Sequence, residues 1–176
     1  MTEKYIIRES TKDDCDQIMK MIRELAEYER LSDQVKLNAE TLQRDCFGEE
    51  KFCHCLVAET ISPGECGEEK LLVGYVLFYY IYSTFKGRAC YIEDVYVTPA
   101  WRGKGIGRAM WTEVTKIAVA KDCVLLRWAV LDWNTSAIDV YKQWGGQNMS
   151  EKEGWLFFLM HKQSMVDYLA KYTSIK

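Results

Sequence analysis

Hydrophobic and polar positions divide the chain into strand-like and helix-like segments. Period-two alternation and short apolar runs predict strands at Tyr5–Arg8, Phe52–Glu59, Leu71–Tyr82, Tyr91–Val97, Val124–Val130 and Glu153–Met160. Apolar residues spaced three and four apart predict helices from Thr11 to about Arg30 and over 38–46, 109–120, 137–144 and 163–171. This order predicts a single α/β domain over residues 1–176, with a mixed, mostly antiparallel central sheet flanked by helices.

Local signals support several of these boundaries. Thr11 and Asp14 have the spacing of a capping box, and Asn38 is an N-cap residue for the second helix. The strand Leu71–Tyr82 is nearly all apolar, which is typical of a strand at the centre of a sheet that is covered on both faces. Polar segments at 62–69 and 83–87 predict turns on either side of this strand and therefore a consecutive antiparallel run.

A glycine-rich segment follows the strand Tyr91–Val97 and leads into a helix. Gly103, Gly105 and Gly107 alternate there with Lys104 and Ile106, and Arg102 and Arg108 flank them. The first turn of a helix has backbone N–H groups without internal partners, and glycines let an anion approach them closely. The segment therefore predicts a phosphate-binding loop or a structural turn, which spacing alone does not separate.

The glycine spacing excludes two common phosphate sites. Lys104 is followed by Gly105 instead of Ser or Thr, so the segment is not a P-loop. The third glycine comes one residue too early for a dinucleotide-binding fold.

Composition narrows the class of partner. With 176 residues and 48% hydrophobic content, the chain is long enough for one packed core. The formal net charge of −3 argues against nucleic acid as a partner and favours a cationic one. Seven cysteines without a C-x-x-C motif indicate neither a metal site nor a disulfide framework and are typical of a reduced, intracellular protein. Because no apolar run approaches the ~20 residues that span a bilayer, we expect a soluble cytoplasmic protein without membrane association.

The glycine-rich loop, the order of elements and Asn134 followed by Tyr141 together resemble the GNAT acetyltransferase superfamily. Tyr28-Glu29, residues 54–59, Tyr91–Asp94, Trp133-Asn134 and residues 153–155 resemble the diamine (spermidine/spermine) acetyltransferase family, and the likeness covers nearly the whole chain. Segments 31–35, 82–88 and 129–134 look most like the thialysine branch of that family. The resemblance implies a GNAT fold, acetyl-CoA as co-substrate, a small primary amine as acceptor, direct transfer, and a homodimer with the C-terminal segment in the contact.

The resemblance also implies roles for individual residues. An alkyl ammonium has a pKa near ~10.4 and must lose a proton before it attacks, and Glu93 would accept that proton directly or through water. Tyr141 would protonate the departing CoA thiolate. The implied acetyl-CoA-binding residues are Val95, Tyr96, Val97, Arg102, Gly103, Lys104, Gly105, Ile106, Gly107, Arg108, Asn134, Thr135, Ser136, Ala137 and Tyr141. The implied substrate-binding residues are Tyr28, Glu29, Glu93, Arg127, Trp128, Ala129 and Glu153.

Several of these positions have structural alternatives. Glu93 is equally compatible with an exposed strand acid paired to a cross-strand lysine, and Tyr141 with a core residue that packs against Val140 and Trp144. Arg127 suits a substrate carboxylate or a surface ion pair. We interpret His54 as a strand histidine and not as a catalytic base.

One turn departs from the polyamine-specific members, which the resemblance indicates carry aspartate and tryptophan where this chain has Ser83 and Phe85. A polyammonium substrate gains from each carboxylate in its groove, and Ser83 supplies none. A genuine spermidine/spermine acetyltransferase therefore remains an alternative. A non-catalytic acyl-CoA-binding module is another, although the presence of both Glu93 and Tyr141 favours an enzyme.

Overall fold

The computed structural model describes residues 4–64 and 67–173. Its strands are β1 (Tyr5–Glu9), β2 (His54–Gly64), β3 (Gly67–Ser83), β4 (Gly87–Val97) and β5 (Leu125–Arg127). Its helices are α1 (Cys15–Tyr28), α2 (Ala39–Phe47), α3 (Ile106–Ala120), α4 (Thr135–Gln143), α5 (Met149–Glu153) and α6 (Lys162–Thr173). Short 3₁₀ turns lie at Lys12–Asp14, Ser32–Gln34 and Pro99–Trp101. None of the helices in this part of the chain is long and apolar enough to cross a membrane.

The strands form one mixed sheet in the order β1-β2-β3-β4-β5. Neighbours are antiparallel except for β4 and β5, which are parallel, so the predicted fold class is confirmed. The apolar strand β3 lies at the centre, and Val73, Tyr75 and Val76 are fully buried there. The predicted turn at 62–69 is narrower than expected, because Gly64 already pairs with Gly67; residues 65 and 66 lie outside the described part of the chain.

Helices cover both faces of the sheet. On one face, Ile18 and Met19 of α1 and Leu42 of α2 pack with Tyr75 of β3 in a buried cluster. Successive strand residues point to opposite faces. A Cβ at the preceding Gly74 would lie 3.1 Å from the Met110 Cε of α3 and 2.8 Å from the Tyr96 carbonyl oxygen. Glycine therefore allows α3 to pack closely on the second face.

The predicted helix boundaries agree with the local signals. Asp14 accepts a hydrogen bond from the Thr11 backbone N–H at 2.6 Å, and Asn38 Oδ1 accepts one from Thr41 N–H at 2.8 Å. Helix α3 begins three residues earlier than predicted, at Ile106. Gly107 therefore lies in its first turn, where the backbone N–H groups have no partner within the helix.

Residue contacts divide the chain into two compact units, Met1–Ala129 and Val130–Lys176. The first contains the sheet with α1, α2 and α3, and the second contains α4, α5 and α6. The single domain over 1–176 stays a prediction.

Two strand predictions need correction. The closing strand at Glu153–Met160 is wrong: Glu153 ends α5, and among the described residues 154–160 none pairs with a strand. A run of apolar residues favours a buried strand, but a strand forms only where a neighbouring strand can pair with it. Phe157 and Phe158 are not buried in this chain, since they are 85% and 86% exposed. Strand β5 is also shorter than predicted, since its pairing with β4 ends at Arg127.

Candidate active site

Strand β4 changes its hydrogen-bonding environment at Glu93. Leu77 of β3 pairs with Asp94 and the next residue, Phe78, pairs with Ile92, so Glu93 is an extra residue in a β-bulge. On the other side of β4, the pairing with β5 ends at Tyr91 opposite Arg127. Beyond that point the β4 edge has no strand partner among the described residues. Bulges of this kind redirect a side chain and free backbone groups for other contacts.

The Glu93 carboxylate is exposed and has a defined partner. Its Oε2 accepts a hydrogen bond from the Tyr79 hydroxyl at 2.9 Å, and the Tyr79 ring stacks on Tyr91 with centroids 5.3 Å apart. Burial and the Glu93 carboxylate raise the pKa of Tyr79, so this hydroxyl stays protonated and donates. Glu93 is thus held by a cross-strand tyrosine.

Two further carboxyl groups contribute to the electrostatics of this site. Burial raises the pKa of Asp94 to about 6, and the charges of Glu93 and Glu29 also raise it, although the Tyr75 hydroxyl donates to Asp94 Oδ2 at 3.1 Å. Burial also raises the pKa of Glu29, the C-cap residue that follows α1. Carboxylates this close together create a negative potential that a cation relieves. We call Glu29, Glu93 and Asp94 the acidic cluster.

The glycine-rich loop has the backbone shape that the sequence predicts. Gly103 and Gly105 have φ of +76° and +83°, a region that other residues rarely adopt, and Gly105 is the N-cap of α3. A Cβ at Gly103 would meet nothing within 4 Å, so the space beside the loop is open. The first N–H groups of α3 lack helical partners and suit a phosphate group. These features fit a pyrophosphate.

Arg102 has a different environment from the one predicted. Its Nε donates to the Val97 carbonyl at 2.9 Å, and its guanidinium lies over the rings of Tyr28 and Tyr96, 5.6 and 5.5 Å from their centroids. The Lys104 ammonium lies 4.2 Å from the centre of the Trp101 ring. Arg102 therefore connects the end of α1, the end of β4 and the loop, and it brings the predicted substrate residue Tyr28 beside the predicted cofactor strand.

The three residues predicted on the next strand lie at its end. Arg127 is the last residue of β5 and is exposed, and Ala129 is exposed as well. Trp128 is half-buried and contacts the Trp111 ring edge-on, with centroids 4.9 Å apart. Trp128 therefore contributes to packing against α3.

The second unit carries the remaining predicted residues. Asn134 caps α4, because its Oδ1 accepts from Ala137 N–H at 3.4 Å and from the Ser136 hydroxyl at 3.2 Å. Tyr141 is half-buried on α4 and meets Trp144 edge-on, with centroids 6.2 Å apart, but Val140 and Trp144 are exposed, so this contact is not the core packing of the structural alternative. Glu153 ends α5, is exposed, and accepts a hydrogen bond from the Trp155 indole at 2.8 Å.

Sequence reasoning missed Asp94, Tyr75 and Tyr79 as members of the site. In a regular strand, Asp94 would point away from Glu93, and only the bulge changes that relation. The available signal was an acidic pair inside an otherwise apolar strand. His54 begins β2 and stacks on Phe78 at 5.4 Å, which agrees with its interpretation as a strand residue.

The sheet that opens at β4, the glycine loop at the N-terminus of α3 and the acidic cluster are the features of an acyltransferase site. Residues 17–145 match the model of the acetyltransferase (GNAT) family. The chain belongs to this family and is an N-acetyltransferase. The family uses acetyl-CoA as co-substrate.

Particular relatives narrow the comparison. The chain is 52% identical to the thialysine N-epsilon-acetyltransferase of Mus musculus, over 90% of this chain and 94% of the relative. It is 35% identical to the spermidine/spermine N(1)-acetyltransferase-like protein 1 of Homo sapiens, over 93% of this chain but 23% of that longer protein. An integron cassette protein from the mobile metagenome of V. cholerae has the same fold, with a TM-score of 0.71 at 21% identity over 97% of this chain and 99% of that one. The predicted family is confirmed.

Proposed function

We propose that the protein transfers the acetyl group of acetyl-CoA to the terminal amine of a thialysine-like amino acid or a small diamine. The acidic cluster is the observation that carries this proposal. Three carboxyl groups lie near the open edge of β4, and two of them have a raised pKa. An ammonium group entering there gains from all three charges.

The residues around the loop fit the co-substrate. Gly103 and Gly105 keep the loop backbone accessible, and the N-terminus of α3 suits the pyrophosphate. The open edge of β4 from Val95 to Val97 suits hydrogen bonds with the pantetheine arm and the acetyl carbonyl. Acetyl-CoA supplies a thioester whose carbonyl the amine attacks, and backbone donors at this edge would stabilise the negative charge that develops on its oxygen.

Glu93 has the position and chemistry of the proton acceptor. Its carboxylate is exposed on the bulge, and the Tyr79 hydroxyl holds one of its oxygens. The other oxygen remains available to bind the ammonium and take its proton, directly or through one water molecule. The charges of Glu93 and Glu29 both act on Asp94, and together the three groups keep the local potential negative, which favours cation binding.

Tyr141 would supply the proton to the departing thiolate. This role rests on the family resemblance, because its hydroxyl lies on α4 in the second unit and its ring packs against Trp144. Phenol is a suitable acid for a thiolate, since both have ordinary pKa values in the range of about 8.5 to 10. Asn134 to Ala137 would contact the pantetheine region from the same helix.

The site fits an amino acid or a small diamine as acceptor better than a long polyamine. The mouse relative named for thialysine has the higher identity of the two relatives described. Ser83 is 5% exposed and Phe85 is 86% exposed at the end of β3, where the polyamine-specific pattern has a carboxylate and an indole. Arg127 offers a guanidinium for an amino acid carboxylate. The cysteine-rich, acidic composition suits the cytoplasm.

A panel assay tests the acceptor. Acetyl-CoA consumption is measured with thialysine, lysine, ornithine, spermidine and a lysine peptide, and we expect thialysine to have the highest kcat/KM. Ser83→Asp should raise the ratio of spermidine turnover to thialysine turnover. Ser83→Asn should not, because asparagine has the size of aspartate but carries no charge. Faster turnover of spermidine than of thialysine by the unmodified protein would refute the acceptor assignment. Absence of turnover with every amine would favour the non-catalytic module.

We also propose a homodimer, which the family resemblance implies. The apolar side chains at 155–159 are at least 60% exposed in the single chain, and burying them against a second copy would stabilise both. Sedimentation at micromolar concentration should give a dimer, and Phe157→Ser with Phe158→Ser should shift it toward monomer. A monomer for the unmodified protein would contradict this proposal.

A further inference from the structure

Two cysteines lie unusually close together at the end of α2. The Cys46 and Cys53 sulfur atoms are 2.9 Å apart, and the residues are seven positions apart in the sequence. A disulfide bond is about 2.05 Å long, so the sulfurs need to approach by less than 1 Å to bond.

The backbone around the two cysteines holds them in this position. Cys46 lies in the last turn of α2, where Gly48 N–H donates to the Arg44 carbonyl at 2.8 Å. The chain then returns, and Phe52 N–H donates to the Asp45 carbonyl at 2.9 Å. These two hydrogen bonds close the segment between the cysteines and bring the residue after Phe52 beside the residue after Asp45.

The two thiols differ in reactivity. The hydrogen bond between the two sulfurs holds the pKa of Cys53 below its usual value and raises the pKa of Cys46. Cys53 is half-buried beside Phe52, which is 64% exposed, whereas Cys46 is 5% exposed. Burial raises the pKa of the neighbouring Cys15 and Cys55 thiols. Cys53 is therefore the more accessible and the more acidic thiol of the pair, and reactivity of a cysteine follows its thiolate fraction and exposure.

We propose that Cys46 and Cys53 form an oxidation site that hydroperoxides convert to an intramolecular disulfide. The Cys53 thiolate attacks the peroxide, which forms an S–O bond, breaks the O–O bond and releases hydroxide. The Cys46 sulfur then attacks the sulfenic sulfur, and its proton leaves with the oxygen as water. With hydrogen peroxide, the released hydroxide takes up the proton that Cys53 lost, so two thiols lose two electrons and two protons and the peroxide becomes two waters; a dithiol reductant reverses the reaction.

Mass spectrometry of the full chain tests this site. The reduced protein is treated with a small excess of hydrogen peroxide, its remaining thiols are blocked with N-ethylmaleimide, and the digest is mapped before and after reduction. We expect the Cys46–Cys53 link at least about tenfold above any other pair, because Cys53 combines thiolate character with an adjacent thiol. The link should disappear on treatment with dithiothreitol.

Variants assign the roles of the two sulfurs. In Cys46→Ser, Cys53 should still react and be trapped by dimedone as the sulfenic acid, whereas Cys53→Ser should give no sulfenic acid at Cys46. Cys123→Ser, at another half-buried cysteine, should leave the link unchanged. Recovery of Cys53 as its maleimide adduct after peroxide, or as a link to Cys15 or Cys55, would overturn the proposal. The mapping uses no activity, so it is independent of the proposed acceptor.

Discussion

Asp94→Asn should stabilise the fold above neutral pH. Asp94 is half-buried next to two other carboxylates, and its pKa is raised from the ordinary 3.8 to about 6. An acid whose pKa is higher in the folded protein disfavours folding once it ionises. Stability conferred by the protonated form is complete below pH 3.8 and is lost as the pH rises through about 6. Asparagine keeps the size and an acceptor for the Tyr75 hydroxyl but never ionises.

The structure sets the size of this effect. A tenfold change in proton affinity is worth ~1.4 kcal/mol, so the shift from 3.8 to about 6 corresponds to at most about 3 kcal/mol. Asp94 is only partly shielded from solvent, which screens its charge, so we expect about 1–2 kcal/mol of stabilisation at pH 7.5. At pH 4, where the native Asp94 is protonated, the two proteins should differ by less than about 0.5 kcal/mol.

Urea denaturation from pH 4 to 8 measures this difference. The free energy of unfolding is determined for the unmodified protein, for Asp94→Asn and for Asp33→Asn, which makes the same change at an exposed aspartate. The advantage of Asp94→Asn should appear between pH 4 and 6 and then remain constant, while Asp33→Asn should show none. A gain that is equal at pH 4 and pH 8, or a loss of stability at pH 8, would refute the reasoning from burial and repulsion.

Three further variants test the site. Gly107→Asp should abolish the thermal stabilisation that acetyl-CoA gives. Thr112→Asp introduces the same charge on the exposed side of α3 and should retain this stabilisation. Loss of the stabilisation in both variants would show that the loop is not part of the cofactor site. Tyr141→Phe should keep its contact with Trp144 and the acetyl-CoA affinity but lower kcat by roughly 10²–10⁴ at all pH values. Glu93→Gln should lower kcat, raise the acceptor KM and recover partly toward pH 10, since more amine is then neutral, given its pKa of ~10.4. Equal, pH-independent losses with lowered Tm values would identify both residues as structural.

Local chemistry explains which parts of the fold could be predicted. The side chain of Asn38 is itself the helix cap, so its residue type predicts the start of α2. The nearly all-apolar composition of β3 predicts that this strand is buried. Gly105 indicates a left-handed backbone position, and the structure has it there with φ of +83°. Each of these signals lies within a few residues of the feature that it determines.

Features that depend on distant partners could not be predicted in this way. The bulge at Glu93 is a mismatch between β3 and β4, and neither strand shows it alone. Asp94 has a raised pKa because the fold buries it and brings it close to Glu29, a residue that is far from it in the sequence. The incorrect prediction of a strand at 153–160 has the same cause, because an apolar segment forms a strand only where another strand offers hydrogen bonds.

The bulge also affects how freely position 93 can change. Ile92 pairs with Phe78 and Asp94 pairs with Leu77, and Phe78 and Leu77 are consecutive in β3. The pairing of β3 with β4 therefore keeps a regular register when Glu93 is left out. Removing this one residue would leave a regular ladder in which every buried side chain keeps its face. The sheet thus places no requirement of its own on the proposed proton acceptor, and a chain with this architecture can exchange or lose that residue, and with it the proposed proton transfer, without having to specify a new fold.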